Sequence, residues 1–475
     1  TTKHYQQIAM IKKYILFAFT ALFCLTSVAQ TSIKSGYFLP GMFNRHKLNP
    51  SAINRTAYVG VPIVSDLNLQ VSTNLGAGKL LFPMAGGGLT TFMNGSVGAT
   101  DFLSALAPNN HFDFNLSTDI LSGGFYAKDA YHTINFGLRS FSGANIPYAL
   151  FDFMKSGMTS PDVTQYHIEN LRVRTTNYLD LAYGYARQIN EHWTVGAKLK
   201  VLFGLADVNA RIDKMDISMS QDEWLVNSQG ILDVAAPGNL TFKTAIDGSI
   251  NGFALNNIAL AGAGAAIDLG ATYRTPVDGL TLSFSVIDLG FIVWDRSSRA
   301  TTSSNPFVFK GFDNIPTGGG GGIPLDQQIN DLKDQAMKLI KFNAQAGTSA
   351  RTTMIRPTLN VGIEYEIVPE TFSVGLLSST HYDPSFTVTE LILSANYRPN
   401  SWFNAALTAD WSNVSFSWGA IVNFCPRFIN FFVGFDYFLT DITPQWIPMN
   451  NANPMVSVGL NVPILKRDKY IRNRR

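Results

Sequence analysis

Cysteine is nearly missing from this 475-residue chain: with only Cys24 and Cys425 present, no disulfide framework or thiolate metal centre can be built. Charge is scarce as well. Only 15% of residues are charged, against about 25% in a typical soluble domain. Neither sign dominates, since 36 basic residues face 34 acidic ones for a net charge of +2. That balance excludes the basic footprint of a nucleic-acid binder. Beyond the N-terminal region there is no run of the roughly 18–20 apolar residues that a membrane-spanning helix requires. The seven histidines (His4, His46, His111, His132, His167, His192, His381) are scattered, with no pair at metal-ligand spacing. Neither a Gly-x-Ser-x-Gly elbow nor a phosphate-binding loop occurs. His381-Tyr382-Asp383 falls on a turn and reads as a solvated loop. The expectation is a protein with no catalytic site, no metal and no cofactor.

What the chain has instead is alternation. In Phe403–Trp411 the odd positions hold Phe403, Ala405, Leu407, Ala409 and Trp411, and the even ones Asn404, Ala406, Thr408 and Asp410. A two-residue period means strand, and two faces of opposite polarity mean two different solvents. Leu359, Val361 and Ile363 likewise alternate with Asn360, Gly362 and Glu364, and Val195, Ala197 and Leu199 with Gly196, Lys198 and Lys200. A lysine facing lipid at mid-membrane costs about 2–4 kcal/mol, so the polar row must face inward. Pro357 marks a bulge or a strand end.

The spacing predicts an all-β fold: a transmembrane antiparallel β-barrel of fourteen strands. They fall at 57–74, 112–126, 131–142, 170–187, 192–208, 265–274, 279–291, 351–366, 371–381, 388–398, 403–411, 414–424, 429–440 and 455–465. Short connections such as 188–191 and 399–402 fall on one side, and the long ones 75–111, 143–169, 209–264, 292–350 and 441–454 on the other. That asymmetry is the barrel pattern of short periplasmic turns and long extracellular loops. A hairpin from Arg211–Ser220 and Asn239–Ile250 gives sixteen strands as the alternative. Helices are expected at Leu325–Phe342, Ile146–Met158 and Ser96–Leu106 within the loops. Trp294, Trp446, Tyr382 and Tyr437 at outer strand ends, with Trp193, Trp402 and Phe428 at inner ones, read as interfacial belts.

The ends of the chain complete the division. Residues 1–29 read as an N-terminal extension and a signal peptide: Lys12 and Lys13, an apolar run from Tyr14 to Leu25, then Ser27-Val28-Ala29. Residues 30–56 form a periplasmic hatch or plug, 57–465 the barrel, and 466–475 a basic periplasmic tail. This places the protein in a bacterial outer membrane, among membrane lipid and lipopolysaccharide.

Charges on the polar faces are the candidate lumen residues: Arg139, Arg172, Arg174, Lys198, Lys200, Arg356, Glu364, Glu366, Glu390 and Arg398, together with Asp180, Asp410 and Asp436. Their mixed signs favour pairing within the lumen over a single-sign selectivity filter. Arg172, Arg174, Lys198 and Lys200 lie on neighbouring strands. They read as a basic ladder for a carboxylate or phosphate head group, or one neutralised by Glu364 and Glu366.

With Asn49-Pro50-Ser51-Ala52 ahead of the first strand and Tyr58-Val59-Gly60 following, the chain resembles FadL-type outer-membrane barrels and the PorV and PorP kind of type IX secretion component. More closely still, it resembles an uncharacterised DUF family of barrels related to both. The resemblance implies a hatch motif at Asn49, Pro50, Ser51 and Ala52 and a channel for hydrophobic or amphipathic small molecules. The alternative is a non-transporting barrel that binds secretion or surface protein partners.

Overall fold

The computed structural model describes residues 32–84, 89–159, 164–221, 223–246, 248–302, 307–309, 340–382, 387–413, 416–438 and 454–464. Fourteen antiparallel strands close into one barrel. In chain order they are β1 (Ala57–Gly60 continued by Leu67–Thr73), β2 (Asn109–Ala127), β3 (Ala130–Pro147), β4 (Thr164–Gln188), β5 (Trp193–Met219), β6 (Gly262–Arg274) and β7 (Leu280–Thr302). Then follow β8 (Phe342–Met354 continued by Thr358–Val368), β9 (Phe372–His381), β10 (Val388–Tyr397), β11 (Phe403–Ser412), β12 (Phe416–Phe424), β13 (Asn430–Phe438) and β14 (Met455–Ile464). β14 returns to β1 with Ala57 opposite Ile464 and Gln70 opposite Met455, which closes the cylinder.

Side-chain alternation builds the two surfaces. Along β10, Glu390, Ile392, Ser394 and Asn396 are buried in the interior while Leu391, Leu393 and Tyr397 face out. On β8, Asn360 is fully buried between outward Leu359 and Val361. The outer row is the lipid-facing surface, and the ladder leaves no open edge in it. β8 breaks at 355–357, where Pro357 has no N–H to give the ladder.

The count is fourteen, not sixteen. Arg211–Ser220 does not turn back as a barrel hairpin; β5 runs unbroken to Met219. Asn239–Thr244 and Ile250–Asn256 pair with each other in a separate two-stranded sheet. β4 and β5, at 25 and 27 residues, far exceed the roughly 9–11 needed to span a bilayer. They rise past it, and Trp224–Ala235 extends the sheet by pairing with β5 and with the upper part of β7.

Two aromatics expected in the interfacial belt point inward instead. Trp294 is fully buried and Tyr437 is 2% exposed. A β-bulge explains each. At Asp288 (φ +58°) the β6–β7 register shifts, so the inward row changes from Ser283, Ser285 and Ile287 to Gly290, Ile292 and Trp294. Tyr437 (φ +59°) sits at the shift between β12 and β13. One inserted residue reverses the face of everything that follows.

At the loop end, the helix Tyr148–Ser156 begins after Pro147, whose fixed φ suits an N-cap, and is shorter than 146–158. Ala99–Leu103 is the helical part of 96–106. Phe342 opens β8 rather than closing a helix. Residues 325–339 of that expected helix, the 1–29 segment, Asp383, Trp446, Ile447, Met449 and the 466–475 tail lie outside the described residues.

Candidate functional site: the filled barrel interior

The interior is occupied by the chain's own beginning. Residues 32–56 run inside the barrel with Lys34, Leu39, Phe43, His46, Asn49, Ser51 and Asn54 all buried. The segment contains two short 3-10 turns, Lys34–Gly36 and Phe43–Lys47. It starts near the loop end, where the Lys34 and Ser35 backbone N–H groups donate to Asp436. It finishes at the short-turn end, where Asn54 Nδ2 donates to the Tyr131 hydroxyl at 3.1 Å.

Asn49-Pro50-Ser51-Ala52 forms the seat at the short-turn end. Asn49 Oδ1 accepts from the Ser51 N–H at 3.0 Å and the Ser51 hydroxyl at 2.7 Å, an Asx turn. Ser51 Oγ also lies 2.7 Å from Thr272 Oγ1 on β6. Leu48 O accepts from Ser285 Oγ at 2.6 Å and from Asn360 Nδ2 at 3.0 Å. The wall opposite is glycine: a Cβ at Gly196 would collide with the Pro50 carbonyl, and one at Gly270 with Asn49 Oδ1.

Lys47 joins the segment to β1 and β2. Its Nζ is 2.5 Å from Asp66 Oδ2 and 2.7 Å from Asp119 Oδ2, all three groups being buried. Asp66 ends the interruption of β1 at 61–66, where Ile63 has φ +71° and its N–H donates to the Asp119 carbonyl. Asp119 also holds Arg139 at 3.2 Å, and Arg139 reaches Asp180 at 3.1 Å. Lys200 bridges Asp268 at 2.8 Å and Asp288 at 2.6 Å. Lys198 donates to His46 Nδ1 at 2.9 Å. That leaves the ring proton on Nε2, which faces the Tyr58 hydroxyl at 2.9 Å. Burial, then the Lys198 and Lys47 charges, hold the His46 pKa well below its ordinary value, so this imidazole is neutral.

Register separates the expected basic ladder. Lys198 and Lys200 stand opposite Gly184 and Ala182, whereas Arg174 and Arg172 stand opposite Asn209 and Arg211. Along β4 the nearest members, Arg174 and the Ala182 that faces Lys200, are eight positions apart, about 26 Å at roughly 3.3 Å per residue. Glu364 and Glu366 neutralise neither pair; they face Arg398 at 3.4 and 3.5 Å. Glu390 pairs with Lys34, and both its oxygens accept from the Tyr437 hydroxyl. His381, expected on a solvated turn, is buried at the end of β9, 2.7 Å from Thr358 Oγ1. Sequence reasoning missed Lys34, Lys47 and His46 because a segment without strand periodicity gives no facing. It missed Asp288 because the bulge hides its phase. Asp268 alternates with Ile267 and Leu269, so its inward position was available from the sequence.

Toward the loops the interior changes character. The next inward positions after Arg139, Asp180 and Lys200 are Phe141, Tyr178 and Leu202, which cluster with Trp294, Ile292 and Ile355. The Arg356 guanidinium lies 5.3 Å from the Phe141 ring centroid, a cation–π contact. Beyond it the first outer loop and the helix Tyr148–Ser156 form an aromatic knot, with Phe92 stacked on Phe102 at 4.2 Å and Phe151 edge-on to both. Two small cavities, of about 20 Å³ and 50 Å³, lie between segment and wall; Lys198 and Arg139 line the first, Arg45 and Glu364 the second. Among the described residues no three His, Cys, Asp or Glu side chains form a ready-made metal centre.

A family model described as a family of unknown function (DUF5723) matches residues 50–436. The chain belongs to that family. No curated protein matches it. Among solved structures it is similar to the Ralstonia pickettii toluene transporter TbuX, at 7% identity and TM-score 0.42 over 89% of this chain and 94% of that one. It is also similar to the Pseudomonas putida toluene transporter TodX, at 9% and 0.38 over 92% and 98%. A Pseudomonas aeruginosa FadL homologue gives 10% and 0.37 over 92% and 98%.

Proposed function

We propose that this protein is a bacterial outer-membrane channel for hydrophobic or amphipathic small molecules, exported by residues 1–29 and plugged by residues 32–56. The observation that supports it best is the inner-wall layer of Phe141, Tyr178, Leu202, Ile292 and Trp294 directly above the charged layer. A water-filled pore carries polar groups at such a level; an apolar lining suits a ligand with a hydrocarbon body. The Arg356 guanidinium over the Phe141 ring belongs to the same layer. The plug is held by side chains rather than by ladder hydrogen bonds, so it can shift without breaking the barrel.

Ser51→Cys with Thr272→Cys, placed where the two hydroxyls lie 2.7 Å apart, locks the plug to β6 by a disulfide. Proteoliposomes holding the double variant should take up a fluorescent long-chain fatty acid only after reduction. Equal uptake in the oxidised and reduced states sinks the channel reading. A second reading, a secretion or surface-assembly component, draws on the height of β4 and β5 beyond the membrane. It predicts a stoichiometric protein partner on affinity purification from intact membranes.

A further inference from the structure

Three consecutive residues of the plug differ in how their charge is met. Lys47 is bonded to Asp66 and Asp119, and His46 lies between Lys198 and Tyr58. Arg45, in the same 3-10 turn, has no such partner: among the described residues its guanidinium makes no hydrogen bond and no ion pair. Its Nε is buried and unmatched. Arg45 lines the cavity of about 50 Å³ between the plug and strands β6, β7 and β8, together with Tyr37, Asn49, Thr281 and Ser283. The charges acting on it are Glu364 and the guanidinium groups of Arg398 and Arg55. Glu364 is engaged elsewhere, since Ser373 Oγ donates to it at 2.7 Å and Arg398 lies at 3.4 Å. Arg398 is 8% exposed, and its Nε and Nη2 are also buried without a hydrogen-bond partner. With Glu366, which Arg398 faces as well, three guanidinium groups stand against two carboxylates. A proton on either glutamate would only enlarge the excess. Water filling the cavity would satisfy N–H groups but leave that charge unbalanced. Buried, unmatched donors beside surplus positive charge mark a place for an anion.

We propose that Arg45 and Thr281 bind a phosphate group in this cavity, with Arg398 and Arg55 adding to the positive field. A guanidinium fork takes two oxygens of an oxyanion side by side. Thr281 calls for a third, because its hydroxyl makes no hydrogen bond among the described residues. The hydroxyls of Thr272 and Ser283 are already turned to Ser51 and to Tyr37 and the Gly362 carbonyl. A phosphate ester offers three strong acceptor oxygens and up to two negative charges at neutral pH; a carboxylate offers two oxygens and one charge. The cavity lies at the short-turn end, where Thr281 is the second residue of β7 and Arg55 is exposed. The wall of β6, β7 and β8 separates it from lipid, so the phosphate comes from a soluble solute or from the head of a molecule inside the barrel. Once bound, it ties the plug to β7 beside the Asn49–Ser51 seat and holds the plug shut.

The test is phosphate binding to the full chain in detergent, by equilibrium dialysis with radioactive inorganic phosphate. One saturable phosphate per chain is expected, weaker by about tenfold or more in Arg45→Gln and by a few-fold in Thr281→Val. Saturating phosphate should slow proteolysis within 32–56 several-fold in the wild-type chain and leave the rate in Arg45→Gln unchanged, which a merely structural arginine would not do. Heat-modifiable migration on a gel checks that each variant has folded. Thr281→Val keeps the size of the side chain and decides the matter should Arg45→Gln fail that check. Hexyl phosphate separates the two sources: competition equal to that of inorganic phosphate supports a soluble solute, and stronger competition supports a molecule inside the barrel. A wild-type chain that binds no phosphate overturns the proposal. So does binding unchanged in both variants, which belongs to the basic residues 466–475, and so does acetate that displaces phosphate as well as phosphate itself. Because the readout is anion binding in detergent, the outcome is independent of the uptake assay.

Discussion

Lys47 lies 2.5 Å from Asp66, so a side chain of the buried N-terminal segment is bonded to the one break in the strand that closes the barrel. The same ammonium holds Asp119 on β2. The break and the plug are therefore one electrostatic unit: moving either strips the other of its counter-charge.

Lys47→Met should be among the most damaging substitutions in the interior. It leaves Asp66 buried without a cation and Asp119 with Arg139 alone, and removing one partner of a buried pair costs about 3–5 kcal/mol. A lowered midpoint for heat-induced unfolding and faster proteolysis within 32–56 are expected. A double variant, Lys47→Met with Asp66→Asn, should recover part of the loss.

Gly196→Val should unseat the 49–52 turn, since its side chain meets the Pro50 carbonyl. Overpacking of this kind costs about 1–3 kcal/mol. The outward row of β5 is untouched, so assembly into membranes should continue while a cysteine placed at Ser51 becomes reactive. An unreactive Ser51→Cys in the Gly196→Val background counts against the seat.

Trp294→Ala removes the largest side chain of the upper apolar layer. A loss of about 3–5 kcal/mol is expected, read as a lower unfolding midpoint. Trp402→Ala, which strips an exposed ring from the short-turn rim, should cost far less.

Acid should weaken the barrel through His46. Its native pKa is depressed, so the unfolded chain takes up a proton first, at about pH 6.5, while the native state stays neutral. Stability is complete above that pH. As pH falls from about 6.5 toward the lower native value, it drops by roughly 1.4 kcal/mol per unit. Unfolding midpoints measured between pH 7.5 and 5 should slope less in His46→Gln than in the wild-type chain.

The wall was legible in the sequence because lipid outside and protein polar groups inside impose a strict two-residue period, and β10 and β11 keep it without interruption. The interior was legible only in part. Arg139, Lys198 and Glu390 follow from alternation, but their partners do not, since Asp119, His46 and Lys34 reach them across 20, 152 and 356 positions. Bulges set the other limit. Asp288 and Tyr437 each add one residue to the count, and no local composition announces the change of face. Gly290 and Gly434, ordinary strand glycines in the sequence, sit just beside those two places.

Residues 32–56 are enclosed by a wall whose last seam, β1 with β14, joins the strand following them to the far end of the chain. A segment of twenty-five residues, bonded to the inner wall from Lys34 at one end to Asn54 at the other, cannot be threaded through a finished cylinder from one mouth. The sheet must instead curl about them, with the final hairpins laid down last. Biogenesis thus wraps the polypeptide around its own leading stretch, and a chain with Ser32–Arg55 excised should close poorly or late.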